Sequence, residues 1–275
     1  LASHRVQVAL VTRKRAPKWL TAARASGQRP GDWIGRALTR AGALAPGKIQ
    51  QAIQQGRLQL NGAVVTDELA PVRVGDRVEL DGHPVELRAR TIALMFHKPA
   101  GVIVAQNDPE GVGTVFDALD LPVELRPFGW HAIGRLDRMT TGLLLFTNDE
   151  RLVAHVTSPE THLPKRYVAD VGGVITDEQL ALLGEGVSID DGLAKAVSAE
   201  RRGPREIAIV LTEGRYHQVR RMLNAVHLAV DSLKREAIGD VVLDIAPRSF
   251  RRLTDVEVTG GLRFALPLSQ GPAGD

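Results

Sequence analysis

The residues best placed to do chemistry lie between Gly134 and Asp149, in the run GRLDRMTTGLLLFTND. One carboxylate, Asp137, stands between Arg135 and Arg138 on a turn bounded by glycine and threonine, and the chain then enters an unbroken apolar strand. An opposite charge within a few Å lowers an Asp pKa by about 1–3 units, so the pattern predicts a carboxylate that stays ionised. A loop fixed to a buried strand presents such a group rigidly to a cleft. Ionised, it can serve as a nucleophile or as a base. The same residues also suit a surface ion pair at a strand entrance.

Two further segments carry polar chemistry. Lys165-Arg166-Tyr167 opens a strand, and a tyrosine beside two cations can stack on a base while phosphates are held nearby. A half-buried sheet aromatic is the alternative reading. Downstream, TEGRYHQVRRML (212–223) feeds a glycine turn into a helix whose first turns carry Arg215, Arg220 and Arg221, a natural phosphate grip. Val219, Met222, Leu223 and Val226 recur at helical spacing and would pack that helix down; a solvated basic helix shows the same pattern. His131, His155, His162, His217 and His227 lack a compact metal-ligand spacing, so no metal is expected. A glycosidase needs paired carboxylates, and Met139 supplies none beside Asp137.

These segments need a scaffold, and the 275 residues are enough for one large or two unequal domains. No apolar run approaches the roughly 20 residues that span a bilayer, which argues against a membrane role. The chain has no cysteine, excluding disulfides and thiolate metal sites and fitting a reducing, cytoplasmic setting. Charge is unevenly spread. Residues 1–30 hold seven Lys/Arg and no acid, whereas residues 91–275 carry a net −5. A basic arm on a near-neutral body suggests a polyanion gripped at one end through salt-sensitive phosphate contacts. An organellar transit segment is a lesser alternative.

Four regions are expected: a basic flexible arm (1–30), a small module (31–88), a larger domain (89–260) and a C-terminal tail (261–275). In the module, Asp32 can cap a helix carrying Ile34, Ala37, Leu38 and Ala41, and a second helix runs from Pro46 to Gly56. LQLNGAVV (58–65) then reads as an Asn-Gly hairpin, and VRVGDRVEL (72–80) as a strand pair about Gly75-Asp76. In the larger domain strands are expected at 91–96, 167–171, 205–211, 237–245 and 251–258, with helices at 117–121, 177–183 and 217–226. Strands and helices mix without a βαβ repeat, so the fold class is α+β, with a mainly antiparallel sheet and flanking helices.

GRLDRMTTGLLLFTND resembles the catalytic motif of RsuA-like ribosomal RNA pseudouridine synthases, with Met139, Thr141 and Glu150 departing from the family's usual pattern. The resemblance makes Asp137 the catalytic residue and implies an isomerase that needs no cofactor. It makes Tyr167 the aromatic that stacks on the target uracil, Arg220 the partner of Asp137, and Leu223 a residue packed near the base. Arg135 would fill the vacated stack or hold the backbone. Lys98, in the His97-Lys98-Pro99-Ala100-Gly101 turn, together with Lys165, Arg215, Gln218 and Arg221, would contact RNA.

Residues 31–82 resemble the RNA-binding module of small-subunit ribosomal protein four, which would direct Arg36, Arg40, Lys48 and Arg57 at phosphates. The implied partner is ribosomal RNA or a subunit assembly intermediate, bound by a monomer. Tyr216-His217 and LKREAIG (233–239) look more like the 16S rRNA enzyme, with a 23S enzyme as runner-up. A catalytically silent assembly factor on the same fold is the reading from another class.

Overall fold

Asn61 and Gly62 both adopt positive φ, 54° and 81°, the requirement of the tight hairpin turn that matches strand twist. They join β1 (Leu58–Leu60) to β2 (Ala63–Val64), as the Asn-Gly signal predicts. The computed structural model describes residues 32–72, 76–87, 91–109, 111–123, 125–126 and 128–266; the basic arm and the Gly75 turn lie outside them. The chain divides into two compact units, residues 1–89 and 90–275.

In the first unit α1 (Ile34–Arg40) and α2 (Ile49–Gln54) pack on a four-stranded sheet of order β2-β1-β3-β4, where β3 is Val78–Leu80 and β4 is His83–Val85. Ile34, Leu38, Ile49, Ile53, Leu58 and Val78 form its core. Asp32, expected as a helix cap, instead pairs as a strand residue with Val72, and Trp33 stands at the cap position.

The second unit is built on a nine-stranded sheet. Its strands include β5 (Ala93–Lys98), β6 (His131–Ile133), β7 (Thr141–Thr147), β8 (Lys165–Val171), β9 (Ser198–Gly203), β10 (Glu206–Leu211), β11 (Val230–Ile238) and β12 (Phe250–Arg252). The path runs β9-β10-β8-β11-β7-β5-β12, with β6 also paired to β7. Neighbours on this path are antiparallel except β11 and β7, which run parallel where Arg235 faces Gly142.

The unbroken apolar run of β7 has a simple cause: both of its faces are buried. Leu144 and Phe146 enter one core with Leu94 and Phe96, while Leu143 and Leu145 enter the other with Ala93 and Met95. The first core is covered by α3 (Val115–Ala118), α5 (Asp177–Glu185) and α6 (Gln218–Ala225), through Val115, Leu183, Val219, Met222 and Leu223. The second is covered by α4 (Glu150–Thr157), through Leu152 and Val156.

Some boundaries differ from expectation. The strand placed at 237–245 begins at Val230 and is broken at Gly239 (φ 57°), with only Val241–Val242 pairing beyond it. The strand placed at 251–258 stops at Arg252, and a helical turn follows at Glu257–Gly261. Leu262 and Phe264 are buried in the second core, so the described part of the expected tail belongs to the domain.

Arg251 fastens β12 to that turn, donating to both Asp244 (2.8 Å) and Glu257 (2.7 Å). The guanidinium, aided by Thr254, holds the Glu257 carboxyl down at about 2. A depressed carboxyl stabilises the fold fully above its unfolded value of about 4.5, and that contribution fades as pH falls towards 2. The pair is open to solvent, which screens it, so Glu257→Gln is expected to cost about 1 kcal/mol at pH 7. Urea titrations at pH 7 and pH 3 should show the difference from wild type shrinking in acid; a pH-independent gap would contradict the assignment.

Candidate active site

Strand β6 delivers the chain to a turn, and β7 carries it back into the sheet, leaving Asp137 at the lip of a cavity of about 580 Å³. Ligand pockets usually measure about 300–1,000 Å³, and this one has room for a single extruded nucleotide. Asp137, Lys165, Tyr167, His217, Leu233 and Arg235 are among its walls.

The turn is braced from beneath. Lys98, at the end of β5, is fully buried, and its ammonium donates to the carbonyls of Pro99 (3.0 Å), Arg138 (3.1 Å) and Thr140 (2.9 Å). All three of its donors are thereby used. Gly101 N–H adds a bond to Arg138 O at 2.9 Å. Burial pulls the Lys98 ammonium down to about 8, against the opposing pull of the Asp137 carboxylate.

Lys98→Met would keep the bulk but take the ammonium donor from the Pro99 and Thr140 carbonyls and leave Arg138 O with Gly101 N–H alone. It is expected to destabilise the fold by about 3 kcal/mol. Turnover should fall as well, because the Asp137 loop loses its anchor; unchanged stability in urea would show that the clamp is dispensable.

The side chain that faces the Asp137 carboxylate is His217, whose Nε2 lies 3.3 Å from Oδ1. His217 stands at the cap of α6 in the left-handed region (φ 48°), which turns its ring away from the helix and towards the cavity. Tyr216, 72% exposed, stacks flat on that ring with centroids 3.9 Å apart and planes 14° apart. Asp137 and His217 keep 33% and 39% of their side chains exposed, so both remain open to a ligand.

A protein-family model described as RNA pseudouridylate synthase matches residues 92–225, the stretch that carries Asp137, Tyr167 and His217. Ribosomal large subunit pseudouridine synthase B of Yersinia pestis is 36% identical over 255 residues, covering 86% of this chain and 77% of that protein. This chain belongs to the RNA pseudouridylate synthase family. The protein of the same name from Escherichia coli K12 is also 36% identical, over 85% of this chain and 82% of its own length. A crystal structure titled pseudouridylate synthase superposes with a TM-score of 0.58 at 27% identity, over 84% of this chain and 99% of that one. The synthase is an isomerase on an α+β scaffold.

Several residues expected at this synthase's substrate are placed elsewhere. Arg220 donates to the Val230 carbonyl at 3.4 Å rather than pairing with Asp137. Leu223 is wholly buried in the core beneath α6, and the leucine on the cavity wall is Leu233. Lys98 is the internal clamp described above, not a surface contact. Arg138 donates to Gly101 O (3.2 Å), while Arg135 is exposed at the cavity rim.

The basic turn is also committed to the protein itself. Gln218 is buried, accepts from Arg215 N–H (2.9 Å) and donates to Glu213 (2.6 Å). Arg215 reaches Leu193 O (2.9 Å), and Arg221 reaches Asp191 and Tyr216 O, both at 2.9 Å. These bonds tie the turn before α6 to the 190–193 hairpin, so Arg215 and Gln218 build the cavity wall and Arg221 braces the turn. In the small unit, Arg57 forms a two-pronged bond with Asp81 and staples the sheet. Arg36 lies over the Trp33 ring at 5.2 Å, and Lys48 is exposed.

The residues missed were His217, Leu233 and Arg235. The first lies inside the recognised basic turn. The other two lie in LKREAIG, whose mixed polarity gave no sign of an inward face.

Proposed function

We propose that this synthase converts a uridine of large-subunit 23S rRNA to pseudouridine, with Asp137 as the catalytic carboxylate. The observation that carries the reading is Asp137 beside Tyr167 and Leu233 in one nucleotide-sized cavity. The rRNA class is supported by the relatives, which are named as large-subunit synthases and match about 85% of the chain. The small-subunit reading drawn from Tyr216-His217 and LKREAIG rests on far fewer residues.

A uridine in a stacked or paired context must be extruded, at a cost of a few kcal/mol. Tyr167 and Leu233 then bound the ring on two sides. The Asp137 carboxylate attacks the ribose carbon C1′, or removes the neighbouring C2′ proton; either way the bond to uracil N1 breaks. The freed ring turns and C5 bonds to C1′, which expels the Asp137 carboxylate in the first route or, in the second, is accompanied by return of the proton from Asp137 to C2′. C5 then loses its proton and N1 gains one. No atom is added or lost. Arg135 at the rim would hold the backbone, and Arg36, Arg40 and Lys48 of the small unit would meet phosphates further along the RNA.

The test is carbodiimide labelling and primer extension on 23S and 16S rRNA transcripts incubated with the purified full chain. One new stop in 23S rRNA and none in 16S is expected. A stop confined to 16S would reverse the target assignment, and none in either RNA would remove the activity.

A further inference from the structure

Arg235 is a buried cation that neither the fold nor the Asp137 chemistry accounts for. It is only 3% exposed, yet it lines the same cavity as Asp137. Its position follows from register: on β11 the side chains of Leu233, Arg235 and Ala237 point to one buried face, so the guanidinium occupies a core position. Nε donates to Leu143 O at 2.8 Å, which fixes the plane of the group. Nη2 is buried and has no acceptor among the described residues.

Its neighbours deepen the imbalance. Lys98 and Lys165 both lie within reach of its charge. Lys98 has spent its donors on three carbonyls, whereas Lys165 donates to Leu163 O at 3.2 Å. The other carboxylate on the wall, Glu213, is tied to Arg215 and Gln218. A buried cation lacking a full set of acceptors is costly, and such a cost persists where a ligand brings the compensating charge.

We infer that Arg235, assisted by Lys165, binds the uracil anion released when the bond between C1′ and N1 breaks. This rests on the isomerase reading above. In both routes open to Asp137 the bonding electron pair leaves with the base, and the charge spreads over N1, O2, C5 and O4 of the ring. Nη2 donates to one of the ring oxygens without any bond to Arg235 forming or breaking. Donors fixed in advance at developing charge are worth far more in a dry cavity than in water. An RNA phosphate is the poorer match, because the backbone stays at the surface while the base enters the cavity.

The test uses one RNA segment, that containing the uridine mapped with wild-type enzyme, transcribed with uridine or with 5-fluorouridine. Fluorine withdraws electron density and stabilises the departing anion, so less help from the protein is needed. Because 5-fluorouridine has no C5 proton to lose and stops after bonding through C5, the rate read on both substrates is loss of the C1′–N1 linkage. In single turnover, Arg235→Gln should lose about 100-fold on uridine but only about tenfold on 5-fluorouridine, with RNA affinity unchanged. Because the ratio compares two substrates on one preparation, partial misfolding cancels. Arg235→Lys, which retains the charge but not the fork, serves if the glutamine variant does not fold, and should show the same narrowing. Equal losses on both substrates would mean that Arg235 only supports the fold or aims Asp137, overturning the inference while leaving the isomerase intact. An inactive wild type would remove both.

Discussion

Asp137→Asn should reduce pseudouridine formation by about 10⁴-fold or more while leaving RNA affinity within about twofold. The amide has the size of the carboxylate, and its oxygen can still accept from His217 Nε2, which now lies 3.3 Å from Oδ1. What disappears is the negative charge. A neutral amide neither attacks C1′ nor removes a C2′ proton, so both routes close together. Binding should hold, because phosphate contacts dominate the affinity of a polyanion and the substitution removes a repulsive charge. Single-turnover assays at saturating RNA read the first effect, and salt-matched filter binding reads the second. A variant with a tenth of wild-type turnover would mean that another group does the chemistry.

That experiment addresses the part of the site most legible in the sequence. A short, glycine-bounded turn with one carboxylate leaves little choice about which atom is presented, and the apolar run of β7 announces a strand buried on both faces. Tyr167 was singled out by the family resemblance, because a strand opening on Lys165-Arg166 suits a half-buried sheet aromatic equally well; the side chain is buried on the cavity wall. The Asn61-Gly62 hairpin was legible because only a pair of positive φ angles closes that turn.

The roles given to Arg220 and Leu223 went astray for a reason of helical phase. Val219, Met222, Leu223 and Val226 are the stripe that seats α6 on the core, so Leu223 cannot also face the cavity. Its role on the wall falls to Leu233, ten positions later on another element.

Strand β11 was obscured for a related reason. In VDSLKREAI the inward set is Leu233, Arg235 and Ala237, and a charged residue at a core position destroys the alternation by which strands are recognised. Lys98 hid the same way, at the end of a strand whose six residues are all buried. Buried cations are thus where pattern reading fails in this chain, and they cluster beneath the Asp137 turn. Helix α4 was missed because Asp149, its cap through Arg151 N–H, sits inside the GRLD run and was read as part of that motif.

Gly142→Ala is expected to be severely damaging. At Gly142 φ is 103°, and an added Cβ would lie 2.2 Å from the Arg235 carbonyl oxygen and 2.8 Å from its nitrogen. Both obstacles are backbone, so no rotamer change relieves them. Strands β7 and β11 would have to part at the one parallel pairing on the sheet path, where Lys234 and Arg235 face Thr141 and Gly142. Separation there would unseat Leu143, whose carbonyl accepts from Arg235, and loosen the start of β7 that holds the Asp137 turn. Forced overpacking combined with backbone strain implies a loss of about 4 kcal/mol. Gly192→Ala is the control, because it shares a positive φ of 110° but has nothing within 4 Å of the added carbon. It should cost only the conformational term, about 1 kcal/mol. Urea midpoints for the two variants, measured beside wild type, separate collision from strain. If both fall by the same amount, the close approach of Gly142 to Arg235 does not hold the sheet together.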